Sequence, residues 1–251
     1  MNIENDPLIS RQKQDKIFRR RLISLLFLLT IILSIYYFWT FLIIKNYQLQ
    51  NRYMLFVRRW PPTVCYHPES CIKEKNNFDQ WVIHGLWPEN SDNTYDSFCT
   101  KEKLDLNNLT PIKDRLKKIW PNLLARKTPE SLWIHEWDKH GTCTQMHQLD
   151  YFNKTLNLYY EYNVDQSLRN ANIIPNESHQ YSHEQFKKAL LLANSNLTMD
   201  NYVLNCKRID SNYYIDEIWL CVSYEHPDLL LNHCTVESTC PEKFYYTGFQ
   251  Q

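Results

Sequence analysis

Two short segments that place glycine directly after histidine hold the residues best suited to chemistry. The first is residues 84–88, His-Gly-Leu-Trp-Pro, and the second is residues 135–143, His-Glu-Trp-Asp-Lys-His-Gly-Thr-Cys. The chain has only three glycines, and two of them, Gly85 and Gly141, lie in these segments. Glycine is typical of backbone that is strained or closely packed, so each segment predicts such a backbone beside an imidazole ring.

The spacing within the second segment indicates a cationic site for a phosphate if the segment is helical. Residues four apart on a helix share a face, so Glu136 would lie beside His140, and His135 beside Lys139. A carboxylate next to an imidazole is expected to raise the pKa of the ring and to orient it. A histidine next to a lysine forms a positively charged pair, for which a phosphate is a suitable anion.

The same segment does not fit a zinc hydrolase. The HExxH motif requires its second histidine at position 139, where the chain has Lys139. His135 and His140 are five residues apart, about 140° around a helix, which is a poor angle for joint metal ligation. The sequence also has no CxxC pair, and too few glycines for a dinucleotide-binding fold or a phosphate loop. We therefore expect no metal and no cofactor.

Two histidines and a cationic phosphate site are the groups needed to cleave RNA by transphosphorylation. A general base removes the proton of a ribose 2′-OH, whose oxygen attacks the adjacent phosphorus, and a general acid protonates the departing 5′-oxygen. Fixed cations and hydrogen-bond donors stabilise the charge that develops on the phosphoryl oxygens. DNA lacks the 2′-OH and cannot react in this way. The two segments therefore predict an enzyme that cleaves RNA.

In this order, and about fifty residues apart, the two segments closely resemble the active-site blocks of the ribonuclease T2 family. The resemblance covers residues 51 to about 245. It implies an endoribonuclease that cleaves single-stranded RNA to 2′,3′-cyclic phosphates and then to 3′-phosphates. It makes His84 the expected acid and His140 the expected base, although the sequence alone does not decide between these roles. The residues that it assigns to the phosphate and its transition state are His135 and Lys139, supported by Glu136.

The resemblance also implies a binding pocket for a nucleobase. Trp87 matches the aromatic residue on which the family stacks a base, an interaction worth roughly 1–3 kcal/mol per base. Glu89 and Tyr95 fall where the same pocket is completed. The chain departs from the family at Leu132, where an aromatic residue usually faces the base, and this difference leaves the base preference open.

The cysteines predict a fold that is held together by disulfides in an oxidising compartment. The chain has eight cysteines, which allow far more pairings than the sequence alone can decide between. The family resemblance implies the pairs Cys65–Cys71, Cys99–Cys143, Cys206–Cys240 and Cys221–Cys234.

The first fifty residues predict a membrane anchor that is separate from the enzyme. Residues 22–44 carry no charge and are long enough to span a bilayer. Residues 1–21 contain six basic residues, whereas only Lys45 follows the span directly, so the positive-inside rule predicts a cytosolic tail and a type II orientation. Residues 45–52 would form a stalk, and residues 53–251 a lumenal or extracellular ribonuclease domain. A cleaved signal peptide is the alternative and would leave the domain secreted.

Further features predict that the domain lies in the secretory pathway, in an acidic compartment such as an endolysosomal one. Residues 22–251 contain 22 basic and 25 acidic residues, hence a net charge of −3, together with all nine histidines, which gain charge below about pH 6. Residues 4–9 resemble the acidic dileucine address of endolysosomal proteins. The sequons for N-glycosylation, expected on the lumenal side, begin at Asn108, Asn153, Asn176 and Asn196.

The order of the predicted elements indicates an α+β fold, and the family resemblance adds a central antiparallel sheet with helices around it. The predicted strands are residues 53–58, 78–83, 202–209 and 213–224, the last two forming a hairpin. The predicted helices are residues 111–119, 129–141, 151–162 and 183–193, three of them opened by capping signals at Thr110, Thr128 and Ser182. The indoles expected in the core are those of Trp81, Trp133 and Trp137.

Two other functions remain open on the sequence. A relative that has lost catalysis, and serves as a binding or signalling domain, would usually lack one of the histidines or the lysine, all of which are present here. A cytotoxic or self-recognition ribonuclease would use the same chemistry, and the sequence does not distinguish it.

Overall fold

The chain divides into two compact units, residues 1–50 and residues 51–251, in the computed structural model. The residues that the structure describes are 7–50, 52–72, 78–224 and 234–249.

The first unit is a single continuous helix, α1 (Pro7–Gln50). Its segment Phe18–Ile43 is long and apolar enough to cross a membrane, and its large apolar side chains, such as Phe27, are exposed. The predicted span of residues 22–44 falls almost entirely within this segment. The helix continues beyond the span on both sides, so residues 45–50 of the predicted stalk are helical, and residue 52 already belongs to the first strand of the second unit. Of the dileucine address, residues 4–6 lie outside the described residues.

The second unit is built on a six-stranded sheet, counted over its described residues. The strands are β1 (Arg52–Arg59), β2 (Val82–Asn90), β3 (Asn176–Ser182), β4 (Tyr202–Ile209), β5 (Asn212–Ser223) and β6 (Lys243–Tyr246). Their order is β2-β1-β5-β6-β3, with β4 paired to β5. The pairs are antiparallel except for β5 with β6. This arrangement confirms the predicted α+β fold with a central sheet, and the predicted β4–β5 hairpin.

The edge strand β2 has a bulge at the first histidine. In the antiparallel pair of β1 and β2, Val57 lies opposite Gly85 and Arg58 lies opposite Ile83, so His84 is the extra residue between them. A bulge of this kind bends the strand and redirects the side chain of the extra residue. We therefore expect the bulge to redirect the His84 side chain relative to its neighbours in the strand, at the edge of the sheet.

The predicted boundaries of this strand are wrong. The sequence predicts a strand over residues 78–83 that ends just before the first histidine segment, whereas β2 begins at Val82 and runs through the segment to Asn90. Glycine and proline are unfavourable in strand interiors, which hides the strand from sequence patterns. Pro88 is tolerated here because β2 is at the edge of the sheet formed by the described strands, with β1 as its neighbour.

Helices and turns surround the sheet. The helices of the second unit are α2 (Pro61–Val64), α3 (Lys113–Ile119), α4 (Pro129–Lys139), α5 (Gln148–Glu161), α6 (Val164–Asn170) and α7 (His183–Leu190). The predicted start of α4 is confirmed, since the Thr128 side chain accepts a hydrogen bond from the backbone N–H of Ser131. The predicted capping box of α7, formed by Ser182 and Gln185, is also present.

The predicted start of α3 is wrong. Thr110 does not cap an α-helix, because a 3₁₀ helix over Leu106–Ile112 precedes α3 and contains Pro111. Asp105 caps this 3₁₀ helix by accepting a hydrogen bond from the backbone N–H of Asn107. The helical segment therefore begins at Leu106, earlier than the Thr-Pro signal predicts.

Buried indoles and four disulfides stabilise the second unit. Trp81, Trp133 and Trp137 are at most 1 % exposed, which confirms that they belong to the core. Trp133 donates its indole N–H to the carbonyl of Trp120. The four disulfides confirm the pairing that the family resemblance implies: Cys65–Cys71, Cys99–Cys143, Cys206–Cys240 and Cys221–Cys234.

Candidate active site

The two histidine segments converge on the indole of Trp87. His84 approaches from the bulge in β2, and its ring centroid lies 5.0 Å from that of Trp87, edge to face. His140 is the C-terminal cap of α4, and its ring stacks on Trp87 with a centroid distance of 5.1 Å and an interplanar angle of 20°. The centroids of the two imidazoles are therefore at most about 10 Å apart, and both rings contact the same indole.

Both glycines of the segments lie where a side chain does not fit. A Cβ at Gly85 would overlap the carboxylate of Glu136 and the indole nitrogen of Trp87. A Cβ at Gly141 would overlap the ring of Trp137. Neither glycine has a positive φ, so the predicted close packing is confirmed and the predicted strain is not.

The backbone of His84 is held by the core. Its carbonyl oxygen accepts a hydrogen bond of 2.8 Å from the indole nitrogen of Trp120. Trp120 is fully buried and its ring also packs against Tyr151 and Phe152. The bulge at the sheet edge is thereby anchored to the helices behind it.

Glu136 on α4 is the buried carboxylate at the centre of the site. Its Oε2 accepts a hydrogen bond of 2.8 Å from Nε1 of Trp87, and its Oε1 lies 4.0 Å from Nε2 of His84. Burial raises the pKa of Glu136 to about 8, although the Trp87 hydrogen bond and the charge of Lys139 oppose the rise. The carboxyl group is therefore protonated in mildly acidic solution.

The expectation that Glu136 raises the pKa of His140 is wrong. The pKa of His140 falls to about 3, first because the ring is buried and then because of the positive charges of Lys139, His135 and His84. Glu136 instead faces Trp87 and His84. His140 is thus a neutral ring in mildly acidic solution, and its Nδ1 has no hydrogen-bond partner among the described residues.

A second buried carboxylate, Glu217 on β5, escaped the sequence analysis. Its Oε1 lies 2.7 Å from Nδ1 of His84 and accepts two hydrogen bonds from Arg59, 3.1 Å from Nε and 2.8 Å from Nη2. Its Oε2 accepts a hydrogen bond of 2.9 Å from Nε1 of Trp219. The sequence feature that could have identified it is the two adjacent acidic residues, Asp216 and Glu217, in the middle of an otherwise largely apolar strand.

Opposing effects act on the pKa values of Glu217 and His84. Burial raises the pKa of Glu217, but the His84 hydrogen bond and the positive charges of His84 and Arg59 outweigh it, and the value falls to about 2. For His84, burial and then the charge of Arg59 lower the pKa, whereas Glu217 raises it. The net effect on His84 is a pKa below the usual 6.5 of histidine.

His135 and Lys139 lie one turn apart on α4, as predicted. His135 lines a cavity of about 400 Å³ together with His84, Arg59 and Leu132. Burial, followed by the charge of Lys139, lowers the pKa of His135. The cavity is thus lined by two of the predicted site histidines, His84 and His135, and by the cationic side chain of Arg59.

The three residues that are predicted to bind a base differ in their surroundings and in their exposure to solvent. The Trp87 ring is enclosed by His84, His140 and Trp219, so its stacking on a base stays a prediction. Glu89 is buried, which raises its pKa to about 7. Tyr95 is 56 % exposed, and Nζ of Lys139 lies 5.8 Å from its ring centroid.

Comparisons with known proteins agree with this architecture. The family model for the ribonuclease T2 family matches residues 51–234. The chain is 38 % identical to ribonuclease DdI of Dictyostelium discoideum over 135 residues, which are 51 % of this chain and 58 % of that protein. It is 33 % identical to ribonuclease Oy of Magallana gigas over 207 residues, which are 77 % of this chain and 95 % of that protein. The crystal structure of RNase NT in complex with 5′-AMP has a TM-score of 0.70 and 26 % identity, covering 79 % of this chain and 98 % of that chain.

The fold and these matches define the class of the protein as an endoribonuclease. The chain belongs to the ribonuclease T2 family.

Proposed function

We propose that the second unit cleaves single-stranded RNA by attack of a ribose 2′-OH on the adjacent phosphodiester, without a metal ion. The products are a 2′,3′-cyclic phosphate and then a 3′-phosphate. The observation that supports this mechanism best is the approach of His84 and His140 to the same indole from two distant segments. A general acid and a general base on opposite sides of one phosphodiester are what transphosphorylation requires.

His140 acts as the general base. Because the pKa of its ring is about 3, it is neutral at the pH of an acidic compartment and can accept the proton of the 2′-OH. Its position at the C-terminal end of α4 is fixed by a backbone hydrogen bond to the carbonyl of Glu136 and by its stacking on Trp87.

His84 acts as the general acid. Its Nδ1 is engaged by the Glu217 carboxylate, so Nε2 is the nitrogen that can donate a proton to the departing 5′-oxygen. The negative charge of Glu217 favours the protonated ring. The ring must be protonated to act, and its pKa lies below 6.5, so activity requires mildly acidic solution.

Lys139 and His135 bind the phosphate. Both are on α4, where His135 lines the same cavity as His84 and the charge of Lys139 acts on His140. Lys139 can therefore supply a positive charge to the phosphoryl oxygens in the transition state. Protonated Glu136 can donate a hydrogen bond without adding negative charge beside the phosphate. Glu89, Tyr95 and Trp87 are proposed to bind the base.

The test is cleavage of a homopolymer RNA at pH 5 by the full-length chain in mild detergent, with a chelator present. We expect a 2′,3′-cyclic phosphate as the first product and no cleavage of the corresponding DNA. His84→Ala and His140→Ala should each reduce the rate roughly 10²–10⁴-fold, the usual contribution of a general acid or base. RNA binding without cleavage by the wild-type chain would instead identify a catalytically idle binding or signalling domain.

We also propose that α1 anchors the enzyme as a single-pass type II membrane protein, with the second unit in the lumen or outside the cell. The basic residues before the apolar segment support this orientation, since positive charge is retained on the cytosolic side. The disulfides support an oxidising, secretory compartment, and the proposed acid–base chemistry suits an endolysosomal one. Cleavage near residue 45 would make the same enzyme a secreted one.

A further inference from the structure

Arg59, Glu217 and His84 form a chain of contacts across three neighbouring strands. Arg59 on β1 and Glu217 on β5 are directly opposite each other in the sheet register. His84 reaches the same carboxylate from the bulge in β2, on the other side of β1. Three hydrogen-bonding nitrogens meet on Oε1 of Glu217, and Trp219 occupies Oε2. The carboxylate is buried and both of its oxygens have partners, so its orientation is fixed.

This geometry determines which nitrogen of His84 faces the reaction. An ionised carboxylate at 2.7 Å requires a proton on Nδ1 of the ring. The other nitrogen, Nε2, points to the Glu136 side of the site, where Oε1 lies 4.0 Å away. A ring without the Glu217 contact could turn, which would move Nε2 away from the reacting oxygen.

We infer that Glu217 is a positioning residue for His84. Arg59 holds the Glu217 carboxylate in place and opposes the effect of its negative charge on the His84 ring. The inference rests on the proposed function and extends it to two residues outside the two histidine segments. The two side chains have opposite effects on the His84 proton, because Glu217 favours the charged ring and Arg59 disfavours it. The titratable and charged groups that surround His84 are Arg59 on β1, Glu217 on β5, and Glu136, His135, Lys139 and His140 on or next to α4.

The test compares Glu217→Gln with Arg59→Gln in the full-length chain in mild detergent. Glu217→Gln keeps an oxygen that can accept from Nδ1 but removes the charge, so the limb of the kcat/KM profile governed by His84 should move to lower pH by about one unit. Arg59→Gln should move the same limb to higher pH. If His84 is the acid, this is the alkaline limb, and if it is the base, it is the acidic limb. Glu217→Ala, which also removes the acceptor, should lower kcat further with little change in KM.

Direct titration of His84 provides a second measurement that does not depend on activity. NMR of the histidine-labelled chain, with the His84 resonance assigned from His84→Gln, should show the His84 pKa falling in Glu217→Gln and rising in Arg59→Gln. Glu161→Gln, which neutralises an exposed carboxylate at the end of α5, is the charge-matched control and should leave both profiles unchanged. Thermal melting reports whether each variant is folded. If the Glu217 variants do not fold, the direction in which the His84 pKa moves in Arg59→Gln still tests the inference.

The result that overturns the inference is a His84 titration that stays in place or moves in the same direction in both variants. In a wild-type chain that cleaves RNA, this result would leave the proposed function intact. A wild-type chain that does not cleave RNA would overturn the proposed function, while the opposite NMR shifts would still support the positioning of His84 by Glu217.

Discussion

Gly85 lies against the carboxylate of Glu136 on α4 and the indole of Trp87 on β2, which together leave no room for a side chain. A Cβ at this position would overlap both Oε2 of Glu136 and Nε1 of Trp87, the two atoms that form the central hydrogen bond of the site. The glycine is therefore required by contact between two elements and not by backbone conformation, since its φ is not positive.

Gly85→Ala should separate Glu136 from Trp87 and displace both from the histidines. Overpacking of a closed interior typically costs about 1–3 kcal/mol, so we expect a lower melting temperature and a fall in kcat of at least about tenfold. The matched control is Gly248→Ala, because no heavy atom that the structure describes lies within 4 Å of a Cβ there. Equal melting temperatures and rates for the two variants would contradict the close packing at position 85.

Trp87→Phe tests the hydrogen bond separately from the ring. Phenylalanine keeps an aromatic surface for His140 but leaves the buried Oε2 of Glu136 without its donor at 2.8 Å. Loss of a partner for a buried polar group costs about 1–3 kcal/mol, and we expect lower stability and lower kcat. Stability should be measured by chemical denaturation at pH 5. An unchanged free energy of unfolding would show that Glu136 does not depend on Trp87.

Glu136→Gln should flatten the pH dependence of stability between pH 4.5 and 8. The pKa of Glu136 is raised from 4.5 to about 8 in the folded chain, so the folded state binds this proton more tightly than the unfolded state. Its contribution to stability is complete below pH 4.5 and is lost as the pH rises towards 8. Glutamine stays neutral throughout.

The measurement for this variant is the free energy of unfolding of the full-length chain in mild detergent at several pH values. The variant and the wild type should be similar at pH 4, and the variant should be more stable at pH 8 by on the order of a few kcal/mol. Glu161→Gln, at an exposed position, should not change the profile. A variant that is less stable than the wild type at pH 8 would mean that the folded protein stabilises the ionised form of Glu136, contrary to the raised pKa.

Local sequence signals predicted much of the fold and the site residues that lie in the two histidine segments. The capping residues Thr128 and Ser182 mark where α4 and α7 begin, because the hydrogen bonds of a cap are made within a few residues. The two histidine segments were recognisable because their residues are close in sequence. The four disulfides followed from the family resemblance and not from spacing.

Features that depend on strand register could not be predicted in the same way. Glu217 contacts His84 only because β1 lies between β2 and β5 with Arg59 opposite Glu217. That register depends on pairing between strands that are distant in the chain, so local sequence patterns do not reveal it. The same holds for the bulge at His84, which appears only when β1 and β2 are paired. The low pKa of His140 arises from burial, whereas helical spacing alone suggested a neighbouring carboxylate and a higher value.

The apolar segment of α1 should make the chain an integral membrane protein. Expressed in a eukaryotic cell, the wild-type chain should stay in the membrane pellet after extraction with alkaline carbonate. Ile32→Arg combined with Leu33→Arg places two charges near the middle of the segment, at a cost of about 2.5–3.5 kcal/mol each, and should release the chain. Thr40→Ser is the control and should stay in the pellet. A soluble wild-type chain with an N-terminus near residue 45 would identify a cleaved signal peptide.

The sequons should differ in their use according to the exposure of their side chains. Asn196 is exposed in a turn after α7, whereas Asn153 is half-buried within α5 and the hydroxyl of Thr155 is buried, where it donates to the carbonyl of Tyr151 at 2.8 Å. A glycan needs free space around the asparagine amide, so we expect modification at Asn196 and none at Asn153. Peptide mass spectrometry after enzymatic deglycosylation in ¹⁸O water distinguishes the two sites. A glycan at Asn153 would contradict the burial argument, and unmodified asparagine in all four sequons would count against the lumenal orientation of the second unit.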